Sequence, residues 1–377
     1  MTLGLCIAAA ASIAACGSSS GGGSSSNTSA GSGSSASSPA VAAATKALAA
    51  AEKTPTAITQ TLPLKSAPPK GKKVVYIVIS GNPANAQSGA AIQQAAEAAG
   101  WTYKEIDYNS ADLASLQAAF SEALQMGANY VELSGASVSS ISTSTVAAYK
   151  KAGAQIIVSG TTPNEVNSVV NATPIGAATR VHAAQILADW FVSNSDGKGK
   201  AVFSTLPMYP ILDEVTTSFT ADVKRMCPGC SVSLVKFSAS DLASSSVIPT
   251  LVSTLRANPS DTYLLFDWAG YNQGIDAALK TAGLTKVQVG GVGMEPWSAE
   301  GLESGAEKAW VAYGWGYTGY AQADATFRLA TDSPGISGDT TMPTQLITKA
   351  NVGDWGGQDY TKPDDAFEQF KKLWHLS

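Results

Sequence analysis

Short apolar runs alternate with alanine-rich amphipathic stretches along most of this chain. The first pair lies between Lys72 and Trp101. Val74–Ile79 has strand composition, Ser80-Gly81-Asn82-Pro83 breaks it, and Gln87–Ala99 reads as a helix ending at Gly100. A run apolar on both faces suits a buried parallel strand. The unit then repeats. Trp101–Asp107, Tyr130–Leu133 and Ala154–Val158 read as strands, with helices over Leu113–Met126 and Val138–Lys151. Val74–Ile79, Tyr130–Leu133 and Ala154–Val158 each run into small hydroxyl or amide residues, so those loops share one edge of a sheet. Ligands of open α/β sheets bind outside the carboxyl ends of the strands, which places Ser80–Asn85 where a ligand would sit.

A second series follows. Thr179–Ser193, Ile211–Met226, Val247–Ala257 and Tyr271–Ala282 read as helices. Lys200–Ser204, Ser231–Phe237, Thr262–Phe266 and Val287–Val292 read as strands, the third closed by Asp267-Trp268. Strands alternating with helices of this length predict an α/β fold of two doubly wound parallel-sheet lobes. A cleft between such lobes is a favoured ligand site.

Composition narrows the function. The 377 residues leave room for two domains. Charged residues make up 14%, the net charge is −5 and no basic block occurs, which argues against nucleic-acid binding. Two histidines, His182 and His375, are too few for a histidine-based metal site. We expect neither metal nor cofactor.

The amino-terminal end reads as export machinery. Leu3–Ala15 is apolar and too short to span a bilayer. Ile13-Ala14-Ala15-Cys16 resembles the bacterial lipobox, a resemblance that implies cleavage before Cys16 and a diacylglycerol on its thiol. The other reading is a short hydrophobic anchor or a chance cysteine. No Lys or Arg precedes Leu3, and we take the basic region of the signal to lie upstream of the given start. A Gly/Ser tract after Cys16 reads as a flexible tether. Ala40–Ala51 suits a short helix, Thr54–Pro69 is Pro- and Thr-rich and extended, and the compact fold is expected from about Lys70.

From Lys70 onward the order of elements resembles the type I periplasmic binding proteins of the sugar-binding kind, the solute receptors of ABC importers. The stretches that carry the resemblance are AAEAAGW, GANYVELSGA with VAAYKKAGAQIIV, YLLFDWAGYNQGIDAALKTAG and VQVGGVGMEPWSAEGLESG. Each is a generic βα unit; their order and spacing carry the signal. The resemblance implies a three-stranded hinge crossed near Thr173–Ala177, Tyr313–Trp315 and Met342–Thr344. It divides the chain into a signal peptide (1–15), a tether and linker (16–69), lobe one (70–173 with 314–342) and lobe two (174–313 with 343–377). The last helix, Asp364–Trp374, packs back through Phe367, Phe370 and Trp374.

The resemblance places ligand residues in the strand-end loops. Lobe one offers Ser80, Asn82, Asn85, Ser134 and Ser159, residues that plain turn chemistry also favours. Lobe two offers Asp267 and Trp268, a carboxylate to accept sugar hydroxyls beside a flat face for a pyranose. The alternative is a helix-capping Asp267 and a core Trp268. Glu295 follows the next strand and has the same two readings. Tyr313, Trp315 and Tyr317 fall on one side if AWVAYGWGYTGY is extended, either lining the cleft or packing between lobes. Tyr209 opens a lobe-two helix near the cleft. Sugar binders of this group carry an aromatic pair in the first loop, where this chain has Asn82-Pro83-Ala84-Asn85. They carry an Arg in the first turn of a lobe-two helix, here Asp213-Glu214, and an Asn-Asp where this chain reads Trp268-Ala269.

Cys227-Pro-Gly-Cys230 admits zinc, redox and structural readings. Zinc lacks a second ligand pair, and a redox pair would open a helix rather than follow one. A structural disulfide into Ser231–Phe237 fits an exported protein.

No G-x-S-x-G, G-x-x-x-x-G-K-[ST] or H-E-x-x-H motif is present, so no enzyme is expected. The expectation is a monomeric, lipid-anchored receptor on the outer face of the membrane. It binds a sugar or polyol and serves an ABC permease. The alternatives are a sensor for a membrane kinase or chemoreceptor, and an amino acid or nucleoside as ligand.

Overall fold

The computed structural model describes residues 38–163, 165–335 and 340–377. The expected export signal, Cys16 and the Gly/Ser tract lie outside the described residues.

In chain order the elements are α1 (Pro39–Ala51), β1 (Lys73–Ile79), α2 (Pro83–Ala98), β2 (Thr102–Tyr108), α3 (Leu113–Gln125), β3 (Tyr130–Ser134), α4 (Thr143–Ala152), β4 (Gln155–Ser159) and β5 (Val170–Ala172). They continue with α5 (Ala178–Asn194), β6 (Lys200–Thr205), α6 (Pro210–Met226), β7 (Ser231–Lys236), α7 (Ala239–Ala243), α8 (Val247–Ala257), β8 (Tyr263–Phe266), α9 (Ile275–Thr281), β9 (Gln288–Val292), α10 (Pro296–Ser304), β10 (Glu307–Tyr313), α11 (Trp315–Ala330), β11 (Thr344–Thr348) and α12 (Ala366–Leu373).

Two sheets result, with strand orders β2-β1-β3-β4-β5 and β11-β10-β9-β8-β6-β7. Every pairing is parallel except that of β10 with β11. The central strands are apolar on both faces because helices cover both: Val74–Ile77 in β1 and all of β8 are buried. The expected fold class, two doubly wound parallel-sheet lobes, is the one observed.

The aromatic segment is not extended throughout. β10 ends at Tyr313, Gly314 turns the chain, and Trp315 opens α11. Residues Gly316–Phe327 of that helix are almost all buried, polar ones included, so it carries no amphipathic stripe for a periodicity reading to find. It packs on α2 so closely that a Cβ on Gly319 would lie 2.2 Å from the Ser88 carbonyl oxygen. Its first backbone amides, Trp315 N and Gly316 N, donate to Asp359 Oδ1 and Oδ2 at 2.9 and 2.8 Å. α12 packs on α11 through Phe370 against Tyr317 and Trp374 against Phe327.

Among the described residues the compact fold already includes α1, well before the expected start near Lys70. α1 buries Val41, Ala44 and Leu48 against the lobe-two helix α5. Ile58 and Leu64 are buried further on, and Leu64 N donates to Leu373 O at 2.8 Å. Residues 38–69 are thus part of the body rather than a linker, because isolated apolar side chains in Pro- and Ala-rich sequence find cover on both lobes.

Candidate functional site

The carboxyl ends of both sheets face one cavity of about 350 Å³. Lobe one lines it with Ser80 and Asn82 after β1, Asn85 in α2, Ser134 ending β3 and Ser159 ending β4. Lobe two lines it with Tyr209, Trp268 and Tyr313, and Trp315 stands at the crossing between them. Nine of the eleven expected ligand residues therefore meet in one place.

Turn chemistry and cavity lining coexist on the lobe-one wall. Asn82 Oδ1 caps α2 by accepting from Ala84 N at 3.0 Å. Asn85 Nδ2 donates to Ile79 O at 3.3 Å, and Ser80 Oγ donates to Tyr108 O at 3.1 Å. Ser159 differs: it is 1% exposed and its hydroxyl has no hydrogen-bond partner among the described residues. Such a group is costly unless something arrives to satisfy it.

Asp267 and Glu295 do not line the cavity, contrary to expectation. Asp267 is fully buried, and it accepts from Leu206 N at 2.8 Å and Tyr271 OH at 2.6 Å. It thereby pins the β6–α6 loop rather than capping the helix that follows it. Burial pushes its carboxyl up to about 7, with the Tyr271 hydrogen bond pulling back. Glu295 accepts from Trp268 Nε1 at 3.1 Å and is likewise pushed by burial up to about 7. Glu295 thereby holds the Trp268 ring, while Asp267 fixes the neighbouring loop and Tyr271. Tyr317 also leaves the site: its hydroxyl accepts from Thr59 N at 2.9 Å and its ring packs on Phe370.

The sequence reading missed Arg180. This residue of the first turn of α5 lines the cavity while only 3% exposed. Its guanidinium carbon lies 4.8 Å from the Tyr313 ring centroid and 5.4 Å from that of Trp315, within cation–π range. Tyr313 and Trp315 meet edge to face at 5.4 Å. An arginine among Ala, Val and Leu just after a crossing was the available signal.

Cys227 and Cys230 lie at disulfide distance, joining the end of α6 to β7. Among the described residues no group of three or more His, Cys, Asp or Glu is placed to hold a metal, and no helix is long and apolar enough to cross a membrane.

No protein-family model and no curated protein matches this sequence. Solved structures match its fold. An ABC transporter solute-binding protein from Burkholderia graminis in complex with D-arabinose is 16% identical with a TM-score of 0.64, over 77% of this chain and 98% of that one. One from Bacillus halodurans with bound myo-inositol is also 16% identical with a TM-score of 0.64, over 76% and 98%. A 5-methylthioribose transporter solute-binding protein from Thermotoga lettingae is 15% identical with a TM-score of 0.66, over 84% and 99%. The two-lobed fold of type I solute-binding proteins is therefore the fold of this chain.

Proposed function

We propose that this chain is an extracytoplasmic receptor that captures a small polar solute, a sugar or polyol, between its lobes and presents it to an ABC permease. The cavity carries the reading: one wall holds short hydroxyl and amide groups from lobe one, the other the aromatic faces of Trp268 and Tyr313 from lobe two. A sugar offers hydroxyl edges to the first and an apolar C–H face to the second. The bound D-arabinose and myo-inositol of two similarly folded proteins support the choice of class. Contacts from both lobes would give a closed form higher affinity than an open one, which drives closure. In this reading the protein acts as a monomer, performs no chemistry on its solute, needs no cofactor, and is held to the membrane's outer face by a lipid on Cys16.

A screen by thermal shift and tryptophan fluorescence tests it, since Trp268 and Trp315 line the cavity. Pentoses, hexoses, polyols, sugar acids, amino acids and nucleosides form the panel. A saturable response to a sugar, sugar acid or polyol is expected. A response confined to amino acids or nucleosides removes the sugar assignment, and turnover of a bound solute removes the receptor role.

A further inference from the structure

Among the described residues Arg180 pairs with no carboxylate. Its Nε and Nη1 lack any hydrogen-bond partner among the described residues, although the side chain is buried. The ion pairs among those residues all lie elsewhere. Arg328 shows what a satisfied buried arginine looks like in the same molecule. It pairs with Asp324 at 2.7 Å and donates to the carbonyls of Pro334 and Leu62. Burying a guanidinium without such partners is unfavourable. Asp267 and Glu295 are each engaged by other donors. Arg180 is also the one charged residue among the described residues lining the cavity.

We infer that the solute brings the missing negative charge, and that it is a hydroxylated carboxylate of the aldonate or uronate kind. Its carboxylate meets the Arg180 guanidinium, whose planar fork suits a two-oxygen acceptor. Its C–H face lies on the aromatic wall, and a hydroxyl satisfies Ser159. A phosphate dianion fits less well, because a single cation lines the cavity among the described residues. The inference rests on the reading of this cleft as the solute site.

The test is calorimetric titration of the purified full-length protein. D-Gluconate, D-glucuronate and D-galacturonate are compared with D-glucose, D-galactose, myo-inositol, D-glucuronamide and D-glucose 6-phosphate. An acid is expected to bind tighter than its neutral or amide counterpart by on the order of 10–100-fold, the range for a hydrogen bond to a charged group. Arg180→Gln should abolish that preference while its melting temperature stays level or rises, since an unpaired buried charge is removed. The acid–amide comparison on the unmodified protein stands even where the variant fails to fold. Neutral sugars binding as tightly as acids, or undiminished acid binding by Arg180→Gln, overturns the inference and leaves the sugar receptor intact. Preference for the phosphate overturns the carboxylate assignment alone. Binding of no member of the panel overturns the inference and the sugar assignment together.

Discussion

Trp268 donates its indole hydrogen to Glu295 Oε1 at 3.1 Å, so a carboxylate that never reaches the cavity sets the plane of the ring that does. Glu295→Gln keeps an acceptor and should leave solute affinity within about threefold. Glu295→Leu leaves the indole N–H unsatisfied and the ring free to turn. Trp268→Ala removes the face itself and should cost on the order of 30-fold or more, as truncation of a central aromatic commonly does. Titration of the three variants with the strongest solute from the screen checks the order.

Glu132 should make stability fall with rising pH. Its side chain is fully buried, Oε1 accepts from Thr326 Oγ1 at 2.7 Å and Oε2 has no partner among the described residues. Burial raises its carboxyl from 4.5 to about 8. The folded protein therefore holds a proton that the unfolded chain releases. This group's contribution is fully present below about 4.5 and is lost as pH climbs toward about 8, at up to about 1.4 kcal/mol per pH unit. Glu132→Gln should flatten that slope in urea melts between pH 5 and 9; an unchanged slope would contradict the assignment.

Asp324 joins three parts of the chain. It pairs with Arg328 in α11 and accepts from Trp374 Nε1 at 2.9 Å, while Arg328 reaches the Leu62 carbonyl. Asp324→Ala strands a buried guanidinium and should cost about 3–5 kcal/mol in chemical denaturation. The double change Asp324→Leu with Arg328→Met should cost much less, because the charge leaves with its partner.

Removal of residues 1–69 should destabilise the body. The truncation exposes the surfaces under Val41, Leu48, Ile58 and Leu64, each buried in the whole protein. A fully buried aliphatic side chain contributes roughly 1.5–3 kcal/mol, so several kcal/mol and a clear fall in melting temperature are expected.

The strands were legible because each is a short apolar run bounded by turn residues, and parallel burial on both faces leaves no polar interruption in β1 or β8. The lobe-one wall was legible for the same reason: small polar residues at strand ends have one place to go. α11 was not, because Thr318, Gln322, Asp324, Thr326 and Arg328 are buried in it and erase the amphipathic period. Asp267 and Glu295 were placed one layer too far forward. A carboxylate at a strand end looks the same in sequence whether it faces the cleft or pins the loop beside it. Arg180 was overlooked because its neighbours read as an ordinary buried helix, and only tertiary packing shows that its own partner is missing.

The Asp359 clamp on α11 belongs to a larger knot. The segments that join the lobes are held to one another by side-chain hydrogen bonds. Thr59 is tied to Tyr317, Asp359 to Trp315, Thr318 to Met342, and Met342 to Thr179. A shift of one of these segments would therefore strain several ties at once. α1 rides on lobe two while residues 58–69 ride on lobe one. Residues 52–59 thus form a strap that contacts both lobes, a second bridge laid over the crossings themselves.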